Sequence, residues 1–204
     1  MSLTLALAKG KLLPGCEALF RRAGLPFPAD AGRRLLVRVE GLRFLFVRDV
    51  DVPTYVEYGA ADCGVVGLDV LLEAASDVLT PLDLGFGRCR LVVAEPRGAP
   101  RRDVASTLRV ATRYPRLAAA HFLARGASVE VVPLAGSVEL APGLGLADCI
   151  VDVVETGRTL EENGLEAGPK IAASSARLIV NRASFHSRMA ELVPLLDALG
   201  RAVA

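Results

Sequence analysis

The chain has 204 residues, 52% of them hydrophobic and 23% charged. That composition excludes a disordered chain and allows a sizeable core in one compact unit or two small lobes. The net charge of +1 argues against a general nucleic-acid surface, so any anion site must be local. No run of about 20 apolar residues occurs, and Met1–Leu7 lacks a basic start, so neither a membrane span nor a secretory leader is expected.

Leu3–Ala8 alternates and reads as a first strand. Lys9-Gly10-Lys11 is the turn after it, and Leu12–Ala23 has helical spacing closed by Gly24. The chain has only three lysines, Lys9, Lys11 and Lys170. Two of them flank Gly10, which lets a ligand approach the backbone, so the turn suits a polyphosphate. A solvated basic turn is the plain alternative. Arg34–Val39 and Leu42–Val47 read as strands of a hairpin joined at Glu40-Gly41. Arg48 ends the second strand, where ligand-facing groups gather in α/β sheets, although Asp49 or Asp51 could pair with it. Pro53 starts a helix through Tyr58, Asp62–Val66 is a buried strand, and Val70–Ala74 is a helix.

Leu79–Leu84 and Arg88–Ala94 are extended runs split by Gly85-Phe86-Gly87, and Glu95–Asp103 reads as a loop. Leu108–Ala111 is a strand, Pro115–Ala124 a helix and Val129–Leu134 a strand. Ser137 is a candidate cap for a short helix from Val138. Pro169–Ala173 reads as a link, Arg177–Asn181 as the last strand, and Ser184–Leu199 as a helix capped by Ser184 and stopped by Gly200. The alternation indicates an α/β fold with mostly parallel sheets. The Gly85–Gly87 break suggests two lobes, 1–87 with 182–204 and 88–181, with a ligand cleft between them. His121 and His186 lie in helices without nucleophile or metal-ligand spacing, and read as structural. Cys16, Cys63, Cys89 and Cys149 are scattered without CxxC or zinc spacing, as expected of reduced core thiols in a cytoplasmic protein.

The stretch Cys149–Leu160 is the most informative. Cys149–Val154 is a short strand, Thr156-Gly157 stops it, and Thr159 is a plausible cap for a helix ending at Asn163-Gly164. Unpaired N–H groups at such a turn, with the hydroxyls of Thr156 and Thr159, suit a phosphate. Asp152 and Glu155 repel that phosphate and suit ribose hydroxyls instead. Together they describe a ribose-5-phosphate pocket. An ordinary strand-to-helix turn with a good cap fits the same string.

Several blocks in order resemble the ATP phosphoribosyltransferase family: Lys9-Gly-Lys-Leu12, Arg48–Gly59, Ala61–Gly67, Asp83–Leu91, Glu139 with Gly145–Ala147, Ile150–Val153 with Thr156–Leu160, and Ser175–Arg182. The Asp152…Thr159 string also resembles the sugar-diphosphate loop of type I phosphoribosyltransferases, which sits on another fold. The resemblance implies two α/β lobes like those of type II periplasmic binding proteins. It implies transfer of a phosphoribosyl group from phosphoribosyl diphosphate to N1 of the ATP adenine. By carry-over, Thr156, Gly157, Arg158 and Thr159 hold the 5′-phosphate, and Asp152 with Glu155 holds the ribose. Lys9, Gly10, Lys11 and Arg48 face phosphates, with Arg48 on the leaving diphosphate. Thr112–Tyr114 and Glu139 are candidates for the adenine. Mg²⁺ is expected on substrate phosphates rather than in a protein cage. The histidine-binding regulatory domain of the long family members is not found, which implies the short form. That form works in a hetero-oligomer, expected as four plus four, with a subunit resembling histidyl-tRNA synthetase.

Overall fold

The structure, a computed structural model, describes residues 2–29, 32–98 and 107–203. It divides into two compact units, Met1–Arg88 with Ser175–Ala204, and Cys89–Ser174.

The first unit begins with β1 (Leu3–Ala8) and α1 (Leu13–Arg22). Next come β2 (Leu36–Val39) and β3 (Leu42–Val47), joined at Glu40 and Gly41, both at positive φ (41° and 83°). Two such residues form the tight hairpin turn whose twist matches the strands. A single 3₁₀ turn over Asp49–Asp51 leads into α2 (Val52–Glu57), followed by β4 (Cys63–Gly67), α3 (Leu68–Ala74) and β5 (Leu79–Asp83). The second unit holds β6 (Cys89–Pro96), β7 (Leu108–Thr112), α4 (Pro115–Leu123), β8 (Val129–Pro133), α5 (Leu140–Gly143), β9 (Cys149–Val154), α6 (Arg158–Glu162) and β10 (Leu165–Ser174). The chain then returns to the first unit through β11 (Ala176–Val180), α7 (Arg182–Ser187) and α8 (Met189–Val203).

Each unit is built as three layers. In the first, the strands run in the order β2-β3-β1-β4-β11-β5. Period-two alternation in β1 sends Leu3, Leu5 and Leu7 to one face, where they meet Cys16, Leu19 and Phe20 of α1 and Leu192, Leu195 and Leu199 of α8. Ala6, with Val66 and Ile179, faces Val52 and Val56 of α2 and Val70 of α3 on the other side. A Cβ on Gly64 would stand 2.9 Å from the Ala6 carbonyl oxygen and from Val52 Cγ1, so glycine lets α2 lie close to the sheet. The second sheet runs β10-β6-β9-β7-β8. Ile150 and Val154 pack with Val138, Ala141 and Leu160 of the α5–α6 layer, while Cys149 and Val151 pack with Ala118 and Phe122 of α4.

The α/β class matches expectation, but both sheets are mixed rather than mostly parallel. β1 pairs in parallel with β3 and β4, and β7 with β8 and β9. The pairs β2–β3, β4–β11, β5–β11, β6–β9 and β6–β10 are antiparallel. Helical crossovers enforce parallel pairing, whereas hairpins and strands returning from the other unit do not. β11 hydrogen-bonds between β4 and β5, so residues 176–180 belong to the first unit, not to the second where the sequence reading placed them.

Other elements depart from expectation as well. Pro169–Ala173 is part of the ten-residue strand β10, not a link. Its pairing with β6 shifts register around Gly168–Ile171, which accommodates Pro169 without a matching ladder donor. Ser184 is not the cap of one long helix. Asn181 caps α7 by accepting the Ser184 N–H at 2.8 Å, and the helical run breaks at Arg188 before α8. α8 contains Pro194 and continues past Gly200. β6 extends to Pro96, into the loop expected over Glu95–Asp103, and residues 99–103 of that loop lie outside the described ones.

Candidate functional site

In the second unit, β7, β8 and β9 are parallel, so their carboxyl ends share one edge of the sheet. That edge collects Thr112–Tyr114, the Leu134–Glu139 loop and the Glu155–Gly157 turn. Asp152 lies on β9 between Ile150 and Val154, on the side of α5 and α6, and its Oδ1 accepts the Val153 N–H at 2.8 Å. It is half-buried, while Glu155, Thr156, Arg158 and Thr159 are exposed. Gly157 has φ 92° and is the residue from which α6 starts. A side chain there would meet only ordinary contact with Val154, so the requirement for glycine comes from the backbone angle.

This arrangement corrects the expected cap. α6 begins at Arg158, so Thr159 is its second residue and no side chain caps the helix. The left-handed Gly157 turns the chain before Thr159 is reached. Thr156 Oγ1 instead makes a long contact, accepting from the Arg158 N–H at 3.5 Å. The string 155–159 thus leaves two hydroxyls and a guanidinium on an exposed bend directly beyond the strand that carries Asp152. Ser137 does not cap α5 either. It sits at φ 50°, and Glu139 occupies the cap position without a side-chain cap bond.

In the first unit, β1, β3 and β4 are parallel and end at a common edge. Ala8 and Val47 are register partners, so Lys9 and Arg48 leave adjacent strand ends. The Lys9 ammonium donates to the Gly32 carbonyl at 2.6 Å and lies 5.3 Å from the centre of the Phe46 ring. These contacts direct the charge while leaving ammonium donors to spare. Lys11 and Arg48 are exposed. A Cβ on Gly10 would meet nothing within 4 Å, so the turn is open there.

Two features of these edges had no clear sequence signal. The first surrounds Asp83 at the end of β5. Its Oδ1 accepts the Gly85 N–H at 3.0 Å and the Ser175 hydroxyl at 2.8 Å, and its Oδ2 pairs with Arg177 at 2.9 Å. Partial burial pushes the carboxyl up. The hydrogen bonds from Gly85 and Ser175, with the charges of Arg177 and Arg88, outweigh it and hold the group below the usual carboxylate range. An Asp two residues before Gly is a recognisable turn pattern, but nothing local points to Ser175. The second is Thr112, expected to face the adenine. It is wholly buried and its hydroxyl is engaged twice within the protein. Tyr114 is buried too, so of that trio only Arg113 is partly exposed.

Of the two histidines, one is packed into the protein. His121 is buried on α4, where desolvation and then the nearby Arg125 lower its pKa. Among the described residues, no group of three or more His, Cys, Asp or Glu side chains could hold a metal ion. No described helix is long and apolar enough to cross a membrane.

Comparison with known proteins gives the family. The HisG family model, ATP phosphoribosyltransferase, matches residues 48–200. The ATP phosphoribosyltransferase of Sorangium cellulosum is 50% identical over 206 residues, covering 99% of this chain and 96% of that protein. The one from Moorella thermoacetica is 50% identical over 211 residues, covering 98% and 92%. The ATP phosphoribosyl transferase (HisG:HisZ) complex from Thermotoga maritima contains a chain similar at TM-score 0.89 and 34% identity, with 98% of both chains covered. The periplasmic aliphatic sulphonate binding protein SsuA from Escherichia coli, at TM-score 0.62 and 13% identity over 100% of this chain and 72% of its own, shares the fold. The chain belongs to the HisG family of ATP phosphoribosyltransferases and catalyses the step of histidine biosynthesis that joins ATP to phosphoribosyl diphosphate.

Proposed function

We propose that the bend Thr156–Thr159 grips the 5′-phosphate of phosphoribosyl diphosphate while Asp152 orients the ribose hydroxyls. N1 of the ATP adenine then attacks C1. A C1–N1 bond forms, the C1–oxygen bond to diphosphate breaks with its electron pair, and the products are 1-(5-phosphoribosyl)-ATP and diphosphate. The observation that carries this reading is the left-handed Gly157 at the start of α6, immediately beyond the strand that presents Asp152. Thr156, Arg158 and Thr159 supply donors to the phosphate, and Glu155 is a second ribose acceptor. The strand carries Asp152 and the bend carries the phosphate donors, which keeps that carboxylate apart from the phosphate.

Positive charge develops at the sugar and negative charge on the leaving group. Catalysis therefore rests on positioning and charge stabilisation. Arg48 and Lys9, on adjacent strand ends, are assigned to stabilising diphosphate, with Gly10 and Lys11 binding phosphates at the same turn. Glu139, at the start of α5, is assigned to substrate binding.

Among the described residues no group of three or more His, Cys, Asp or Glu side chains could hold a metal ion, and the guanidinium of Arg158 beside the hydroxyls of Thr156 and Thr159 suits phosphate oxygens rather than a cation. Mg²⁺ is assigned to the substrate, on phosphate oxygens. The similarity to a chain of a HisG:HisZ complex supports a catalytic subunit that works with a regulatory partner. We assign it a regulatory partner resembling histidyl-tRNA synthetase, in a four-plus-four assembly, and a cytoplasmic location where ATP and the activated pentose are made.

Asp152→Asn and Thr159→Val should each weaken use of phosphoribosyl diphosphate by about 1–3 kcal/mol, one lost hydrogen bond to a charged or polar group. Wild-type kcat/KM in both variants, assayed with the partner present, would refute the assigned roles. Diphosphate release should require ATP; adenine or hypoxanthine serving equally well would instead indicate free-base chemistry. Histidine should inhibit the reconstituted complex and leave the isolated chain unaffected.

A further inference from the structure

We propose that Thr112 is a positioning residue for the phosphoribosyl diphosphate site, tying the strand that carries Asp152 to the turn that presents Arg113. The proposal rests on the assignment of that substrate to the carboxyl edge of the second sheet.

Thr112 ends β7 and is fully buried. Its hydroxyl donates to the Val151 carbonyl at 2.6 Å and accepts the Tyr114 N–H at 2.8 Å. The side chain therefore acts on two backbone positions rather than on a ligand. Val151 and Thr112 are register partners, and the parallel ladder between β7 and β9 is described only to this pair. β9 continues for three more residues, Asp152–Val154. The Val151 carbonyl belongs to the same peptide plane as the Asp152 N–H, so the bond restrains the orientation at which Asp152 leaves the ladder.

The bond from Tyr114 restrains the other side. Arg113 lies between Thr112 and Tyr114, two buried residues joined through the threonine hydroxyl. Tyr114 packs in the cluster with Ala118 and Phe122 of α4, and the Leu134 N–H clamps the Thr112 carbonyl at 3.0 Å from the β8 side. Arg113 thus emerges, partly exposed, from a backbone held on both flanks. A guanidinium so held suits phosphate oxygens, and rigid flanks reduce the entropy lost when it binds them. A threonine that merely satisfies the core would make the same two bonds without consequence for substrate. The difference is kinetic.

The test uses the full chain with its regulatory partner and varies each substrate at saturation of the other. Thr112→Val keeps the side-chain shape and loses the hydroxyl. It should raise KM for phosphoribosyl diphosphate about ten- to a hundredfold, the scale of small misplacements of binding groups, with KM for ATP unchanged. Thr112→Ser should restore the wild-type value. Arg113→Gln, at a partly exposed position, should show the same one-sided defect, with its urea midpoint measured alongside. Wild-type KM values in Thr112→Val or in Arg113→Gln, or equal changes for both substrates, would overturn the proposal. Thr159→Val run in parallel separates the failures. If Thr159→Val is impaired and Thr112→Val is not, only the positioning role falls; if neither is impaired, the assignment of the substrate to this edge falls with it.

Discussion

Replacing Asp62 by alanine should unfasten the C-terminal helices from the first sheet. Asp62 is 8% exposed, and three groups converge on its carboxylate. Oδ2 accepts the Thr4 N–H at 2.7 Å and Arg188 Nη1 at 2.7 Å, and Oδ1 accepts the Ser184 hydroxyl at 2.9 Å. The carboxylate therefore joins β1 to α7 and to the residue between α7 and α8. Alanine removes all three bonds to the carboxylate; the loss of the ion-paired one is worth about 1.5–3 kcal/mol, and stranding the buried Thr4 amide costs about 1–3 kcal/mol. Arg188 keeps its ion pair with Glu191, which limits the loss at the guanidinium. A destabilisation of about 3–5 kcal/mol follows, near the range for breaking a buried charge pair. For a chain of this length it corresponds to a drop in Tm of roughly 10 °C. Urea unfolding followed by circular dichroism measures it. The double variant Asp62→Ala/Arg188→Met should lose less than the sum of the two single variants, because both remove the same Asp62–Arg188 bond, which the double variant loses only once. Asp62→Ala within about 0.5 kcal/mol of wild type, the range of ordinary surface changes, would refute the reasoning.

Gly157→Ala should cost about 1 kcal/mol in stability, because φ 92° is strained for any residue with a Cβ. It should also raise KM for phosphoribosyl diphosphate; an unchanged KM and urea midpoint would show that the bend tolerates another geometry. Asp83 has its pKa lowered in the folded state, so its contribution to stability is present above the unfolded carboxylate range and is lost as pH falls through the folded value. The urea-midpoint gap between wild type and Asp83→Asn should accordingly be open at pH 6 and close on acidification toward pH 3. A gap independent of pH would remove the electrostatic explanation.

Where local patterning and packing agree, the elements were legible from residues alone. β1, β3 and β9 carry short apolar runs bounded by turn residues, and they fold where those runs lie. The Glu40-Gly41 hairpin and the Gly157 bend were visible because Gly41 and Gly157 stand where the chain takes positive φ. Strand direction was not visible, since alternation reads the same both ways along the chain. β10 was hidden by Gly168-Pro169, which resembles a break unless β6 is known to lie alongside. Asn181 was passed over as a cap because its anchoring is tertiary: its amide nitrogen donates to the Val56 and Glu57 carbonyls of α2, and its oxygen takes the Ser184 N–H. Thr112 presents the same difficulty at the site. It was a candidate for the adenine, and only the burial of its hydroxyl shows that it serves the backbone.

The place of β11 between β4 and β5 bears on how the polypeptide assembles as it is made. A translating ribosome delivers β4 and β5 first, then every residue from 89 to 174, and only afterwards the strand that must slot between them. At roughly 5–20 residues per second, the gap stays unfilled for several seconds. The inserted sheet has all its strands before that moment and can close on its own, with Ser174 returning opposite Cys89. Folding from the inside outward is therefore built into the connectivity, and the edges of β4 and β5 are the surfaces most exposed to mispairing during synthesis.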